Sequence, residues 1–106
     1  MRITVANKTR HRPDGTPAVS ITRPSPLANP FKRSKVTDRE DALARYAAWL
    51  DAELRRPHSP AAREFTRLRA ILAEHGALTL LGTSAPLPCH GDIIRQRLLA
   101  EARTRP

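Results

Sequence analysis

His75-Gly76-Ala77-Leu78-Thr79-Leu80-Leu81-Gly82 decides the fold of this chain. His75-Gly76 is a helix stop, because glycine accepts the left-handed backbone that closes a helix. The run Ala77–Leu81 is short, apolar and bounded by glycines, the pattern of a buried strand. A helix therefore precedes it and a loop follows.

Reading backwards, Ser59-Pro60 predicts the start of that helix, with Ser as cap and Pro at the first helical position. Phe65, Leu68, Ile71 and Leu72 form its apolar stripe. An earlier helix opens at Thr37-Asp38-Arg39-Glu40, which fits a capping box. Leu43, Tyr46, Ala47, Leu50 and Leu54 recur on one face of it, and Arg55-Arg56-Pro57 ends it. Reading forwards, Gly82 to Pro88 is a loop holding Pro86 and Pro88. A third helix runs from about His90 to Arg103 with Ile94 and Leu98 inward, flanked by Ile93 and Leu99.

The N-terminal part reads as two short strands, Ile3–Ala6 and Ala18–Thr22, the second alternating as a half-buried strand does. Between them, Arg12-Pro13-Asp14-Gly15-Thr16 is a strong turn signal. The expectation is an antiparallel hairpin with a long connection. Pro24, Pro26 and Pro30 then exclude helix and make residues 23–35 a stiffened loop. The whole chain, residues 1–106, is expected to be a single α/β domain: a small sheet of about three strands with three helices packed on it. In open α/β sheets ligands bind outside the carboxyl ends of the strands. If the second and third strands are parallel neighbours, the loops they feed, Arg23–Lys35 and Gly82–Cys89, meet at one edge.

Composition narrows the function classes. Phe31, Tyr46, Trp49 and Phe65 are the only aromatic residues, so the core is aliphatic. A single cysteine, Cys89, rules out an intrachain disulfide. The N-terminus does not read as a signal peptide, and no apolar run approaches the length of a membrane span. These features lead to the expectation of a cytoplasmic protein that makes no membrane contact. The formal net charge is +9, and it is uneven. Residues 1–39 hold nine Lys or Arg against two Asp or Glu; residues 40–106 hold ten against eight. A basic excess of this kind attracts phosphate groups.

Pro88-Cys89-His90-Gly91-Asp92 is the densest cluster of reactive groups. A helix N-terminus presents free N–H groups and a partial positive charge. A thiol there can become a nucleophile, and a histidine beside it can act as acid or base. Asp92 can orient that histidine. Cys89, His90 and Asp92 are thus the candidate catalytic residues. The competing reading is that Cys89 is a small buried hydrophobe and that His90 or Asp92 caps the helix. The proline-rich loop supplies candidate ligand-binding residues: Arg23, Ser25, Asn29 and Lys32, joined by Gly91 at the helix start. Arg23, Lys32 and Arg33 can hold phosphate oxygens, and Asn29 offers donors and an acceptor. The competing reading there is an Asn-Pro turn with solvated charges. The four histidines and one cysteine have no recognised metal-ligand spacing. No Walker loop, dinucleotide glycine fingerprint or nucleophile elbow is present, and no pattern names a cofactor.

Arg23-Pro-Ser-Pro-Leu-Ala-Asn-Pro-Phe31, then Arg39-Glu40 with Tyr46 and Leu50, then Ala85-Pro-Leu-Pro-Cys-His-Gly-Asp92, resembles the bacterial and phage family called domain of unknown function 4326. The resemblance covers roughly residues 18–99. It implies no activity, and it leaves Asn29, Cys89, His90 and Asp92 as positions matching the family pattern. Gly82-Thr83-Ser84 stands where members typically carry Cys-Trp-Cys, so a role resting on several cysteines loses its support.

The leading expectation is a protein that binds a nucleotide or other phosphorylated metabolite between its two loops, with enzymatic turnover left open. The alternative is a nucleic-acid-binding accessory protein that uses the basic N-terminal region. A third reading is an interaction protein that dimerises through the first helix, where Trp49 lies beside the Tyr46 and Leu50 stripe.

Overall fold

A computed structural model describes residues 1–30, 39–83 and 89–104. Its elements run β1 (Arg2–Asn7), β2 (Ala18–Ser20), α1 (Arg39–Leu54), α2 (Pro60–His75), β3 (Ala77–Gly82) and α3 (His90–Thr104). The three strands form one sheet in the order β1-β3-β2, and both pairings are parallel.

The hairpin expectation is therefore wrong. β1 and β2 do not touch each other; each pairs with β3, which lies between them. The reason is hydrophobic. Leu78 and Leu80 are fully buried, whereas β2 alternates exposed and half-buried positions. The most apolar strand takes the centre, where both of its edges are paired, and the more polar strands take the rims. The turn signal itself is realised: Asp14 Oδ1 accepts the Thr16 N–H at 2.9 Å, and Gly15 adopts φ 88°. That turn sits in a crossover connection, residues 8–17, instead of a hairpin.

Strand alternation assigns the two faces. Ile3 and Val5 pair opposite Leu78 and Leu80, and Val19 opposite Leu80, so these five share one face. They join Tyr46, Leu50, Phe65, Leu68, Leu72, Ile94 and Leu98 of the helices in one core. Trp49 is half-buried against that core, and among the described residues Met1 is the one large hydrophobic side chain left exposed. An exposed aromatic surface on α1 is therefore absent from the described residues.

α2 has both predicted ends. Ser59 Oγ accepts the Ala62 N–H at 3.1 Å, and Gly76, at φ 73°, donates its N–H to Leu72 O at 2.8 Å. Thr37 and Asp38, the expected start of α1, lie outside the described residues. Ion pairs tie the helices together: Arg97 grips Asp51 through two bonds of 2.7 and 3.0 Å, and Arg69 meets Glu101 at 2.7 Å. No helix among the described residues is long and apolar enough to cross a membrane.

Candidate functional site

Parallel pairing places the carboxyl ends of all three strands on one edge, with Asn7 opposite Gly82 and Ser20 opposite Leu81. β2 leads there into the proline-rich loop, and β3 leads into the approach to α3. The two segments singled out by sequence therefore leave the sheet side by side.

The start of α3 is locked by Asp92. Its Oδ2 accepts the Cys89 N–H at 2.9 Å, while its own N–H donates to Cys89 O at 3.0 Å. This is the backbone-capping half of a capping box. Arg95 holds the other carboxylate oxygen at 3.2 Å. Cys89 is buried, with 7% of its surface exposed. Gly91 explains how the helix end comes so near the sheet. A Cβ there would lie 2.9 Å from both Ile21 Cδ1 and Val5 Cγ1, and 3.4 Å from Cys89 Sγ. Only a glycine lets the first turn of α3 rest on β1 and the end of β2.

His90, the first residue of α3, reaches the chain just after β2, two residues before the proline-rich loop. Its Nε2 lies 2.7 Å from Ile21 O. A carbonyl oxygen only accepts, so Nε2 carries the proton and the neutral ring keeps its lone pair on Nδ1. Burial pushes the His90 pKa below its ordinary value, against the opposing pull of Ile21 O and Asp92. The imidazole also meets Tyr46 edge-on, with ring centroids 5.2 Å apart. Tyr46 is fully buried and donates its hydroxyl to Leu27 O at 2.7 Å. Burial raises the Tyr46 pKa, with Cys89 a lesser cause, so the hydroxyl stays protonated and remains a donor. The loop is thus tethered twice: at Ile21 by His90 and at Leu27 by Tyr46.

The other sequence candidates fall into place around these tethers. Ser25 builds the loop itself: its Oγ accepts the Leu27 N–H at 3.2 Å, its N–H donates to Thr22 O at 2.9 Å, and its carbonyl accepts from Ala28 at 3.0 Å. Arg23 is exposed and Asn29 half-buried on the same loop. Lys32, Phe31, Pro86 and Pro88 lie outside the described residues. Among the described residues no three His, Cys, Asp or Glu side chains gather as metal ligands would.

Two features escaped the sequence reading. Tyr46 looked like a plain core residue, and its reach to Leu27 O has no local signature. Lys8 follows β1 directly on the carboxyl edge. Its N–H donates to Gly82 O at 2.8 Å, which carries the β1 ladder one residue further. Its ammonium crosses the end of the central strand to Thr22 Oγ1 at 3.2 Å, and Thr22 Oγ1 lies 3.0 Å from Ser20 Oγ. Applying the strand-end rule to the first strand as well as to the other two would have pointed to it.

A family model described as Domain of unknown function (DUF4326) matches residues 5–100. The chain belongs to this family. No curated protein and no solved structure matches it. The family match starts at Val5, upstream of the span suggested by the two loop motifs. It takes in the second half of β1, so all three strand ends and the start of α3 lie within the family's domain.

Proposed function

We propose that this protein binds a nucleotide or a related phosphorylated metabolite where the Ile21–Pro30 loop meets the N-terminus of α3. The observation that carries this reading is the double tether. His90 on Ile21 O ties the chain after β2 to the start of α3, and Tyr46 of α1 on Leu27 O holds the proline-stiffened loop beside it, at the carboxyl edge of a parallel sheet. That is where open α/β sheets bind their ligands. The first-turn N–H groups of a helix favour an anion, and Arg23 on the loop supplies positive charge. In this reading Arg23 and Lys32 neutralise phosphate, and Asn29 orients the ligand. Gly91, buried against Ile21 and Val5, lets the helix start sit close to the loop. His90, neutral and with its lone pair on Nδ1, is the group suited to accept a proton from the ligand, and Cys89 stands beside it.

The test uses Trp49, the one tryptophan of the chain. Its ring centroid lies 5.4 Å from that of Tyr46, which contacts His90, so its fluorescence reports on the site. Nucleoside mono-, di- and triphosphates are titrated in parallel with the matching nucleosides. The phosphorylated compounds are expected to bind, the nucleosides to fail, and Asn29→Ala to weaken binding. Equal binding of nucleosides, or no binding of either, sinks the proposal. Tight, sequence-selective binding to duplex DNA at physiological salt would put the nucleic-acid reading first. Nonspecific backbone binding instead falls steeply as salt rises.

A further inference from the structure

The helices cover one face of the sheet, and strand alternation puts Ser20 on the other. Ser20 sits opposite Leu81, one position out of phase with Val19 and Leu80, which face the core. Ser20, Thr22 and Lys8 therefore form a cluster at the rim of the helix-free face. It is separate from the His90–Ile21 junction on the helix side. The Lys8 side chain spans from the end of β1 to the segment after β2, over the end of β3.

Counting protons shows what this cluster has to offer. An ammonium has three N–H donors, and a hydroxyl has one donor. Lys8 uses one donor, on Thr22 Oγ1. Among the described residues it takes part in no ion pair, although six Arg–carboxylate pairs occur elsewhere. Between Ser20 and Thr22 one hydroxyl donates to the other. Thr22 N–H, at 3.3 Å, takes a lone pair of Ser20 Oγ. Whichever way the hydroxyl pair is oriented, one O–H is left over. Two N–H and one O–H donors thus surround one positively charged position to which, among the described residues, no carboxylate is paired.

We propose that Lys8, Thr22 and Ser20 form a binding site for a phosphate-type oxyanion at the rim of the helix-free sheet face. Tetrahedral oxyanions are rich in acceptors and poor in donors, which matches this excess of donors. A carboxylate, with two oxygens, spreads the three donors over fewer acceptor atoms than a phosphate group does, and a neutral polar ligand brings no charge to meet the ammonium. Charge-assisted bonds from the ammonium supply most of the attraction. Ser20 and Thr22, fixed by the strand end, supply the direction. The site does not depend on the ligand assigned to the two-loop junction, and either can fail without the other.

The test is amide NMR of the full chain, titrated with inorganic phosphate and, separately, with phenyl phosphate, against chloride at matched ionic strength. Shifts confined to Lys8, Ser20, Ile21 and Thr22 are expected with at least one probe. Response to both assigns the site to phosphomonoesters; response to inorganic phosphate alone assigns it to the free anion. Lys8→Gln is expected to weaken binding roughly tenfold or more, and Lys8→Arg to restore part of it. Thr22→Val should weaken binding less, and Arg63→Gln on α2, which removes the same charge, should leave it unchanged. Lys8 is exposed, so its variants are expected to fold, and their amide spectra verify this directly. Equal affinity in Lys8→Gln overturns the proposal. So do shifts spread evenly over Arg2, Arg10 and Arg12, or no shift at millimolar phosphate.

Discussion

Gly91→Ala tests the geometry that brings α3 onto the sheet. The new methyl would lie 2.9 Å from Ile21 Cδ1 and 2.9 Å from Val5 Cγ1, closer than real Cβ contacts come. Ile21 Cδ1 ends a flexible chain, but Ile21 is fully buried and has no surface to turn towards. Val5 is β-branched and held in a strand, so its χ1 is stiff. Overpacking of this kind costs about 1–3 kcal/mol. Alanine regains roughly 0.5–1 kcal/mol of helix propensity, and less than that in the first turn. The net loss is about 1–2 kcal/mol, which lowers Tm by roughly 4–12 °C for a domain near 100 residues. Thermal unfolding followed by circular dichroism, with urea midpoints as a second measure, checks this. Because the helix end must lift, the His90 to Ile21 bond should lengthen, visible as a shift of the His90 ring nitrogen resonances. A Tm equal to or above that of the parent chain refutes the close-packing argument.

Tyr46→Phe removes the donor to Leu27 O and leaves a buried carbonyl unpaired; urea unfolding should show a loss of about 1–2 kcal/mol, and an unchanged midpoint would mean that the loop holds without this tether. His90 has a folded pKa below its unfolded value of about 6.5, so the unfolded chain binds the proton more readily. The stability tied to His90 is therefore complete above that unfolded value and is lost as pH falls through the depressed folded pKa. Urea midpoints between pH 7.5 and pH 5 should fall more in the parent chain than in His90→Gln, and parallel curves would count against the burial argument. Cys89 is 7% exposed, so iodoacetamide should modify the native chain far more slowly than the urea-unfolded chain; equal rates would mean that the start of α3 opens readily.

Local chemistry made much of this fold legible. Ser59-Pro60 and His75-Gly76 mark α2 because caps are decided by neighbouring residues. The run Ala77–Leu81 reads as a buried strand because a central strand has no polar face. The pairing of β1 and β2 was misread for a related reason. Adjacency in sequence suggests a hairpin, but the central position went to the most apolar strand, some sixty residues later. That information lies in the competition among strands and not in either strand alone. At the site, the Cys89–Asp92 segment and the proline-rich loop were legible by composition. Their junction was legible only as a condition on strand order. Asp92 was singled out both as orienter and as cap, and both of its carboxylate oxygens are engaged by Cys89 and Arg95. Tyr46, Lys8 and Thr22 work across long sequence distances, through bonds that no spacing rule encodes.

The central position of β3 also bears on how the chain is made. During synthesis, β1 and β2 emerge early and have no hydrogen-bonding neighbour until residues 77–82 leave the ribosome. The helical pair α1 and α2, joined by a short turn, has its partners at hand and can associate first. Both outer strands must then close on β3 from long range, which slows folding relative to an all-local topology. His90 follows β3, so the rim that carries both proposed sites assembles in one late step. Until then two strand edges stand open. β1 and β2 are short and carry exposed Arg2, Thr4, Ala18 and Ser20, a composition that discourages pairing with other nascent chains.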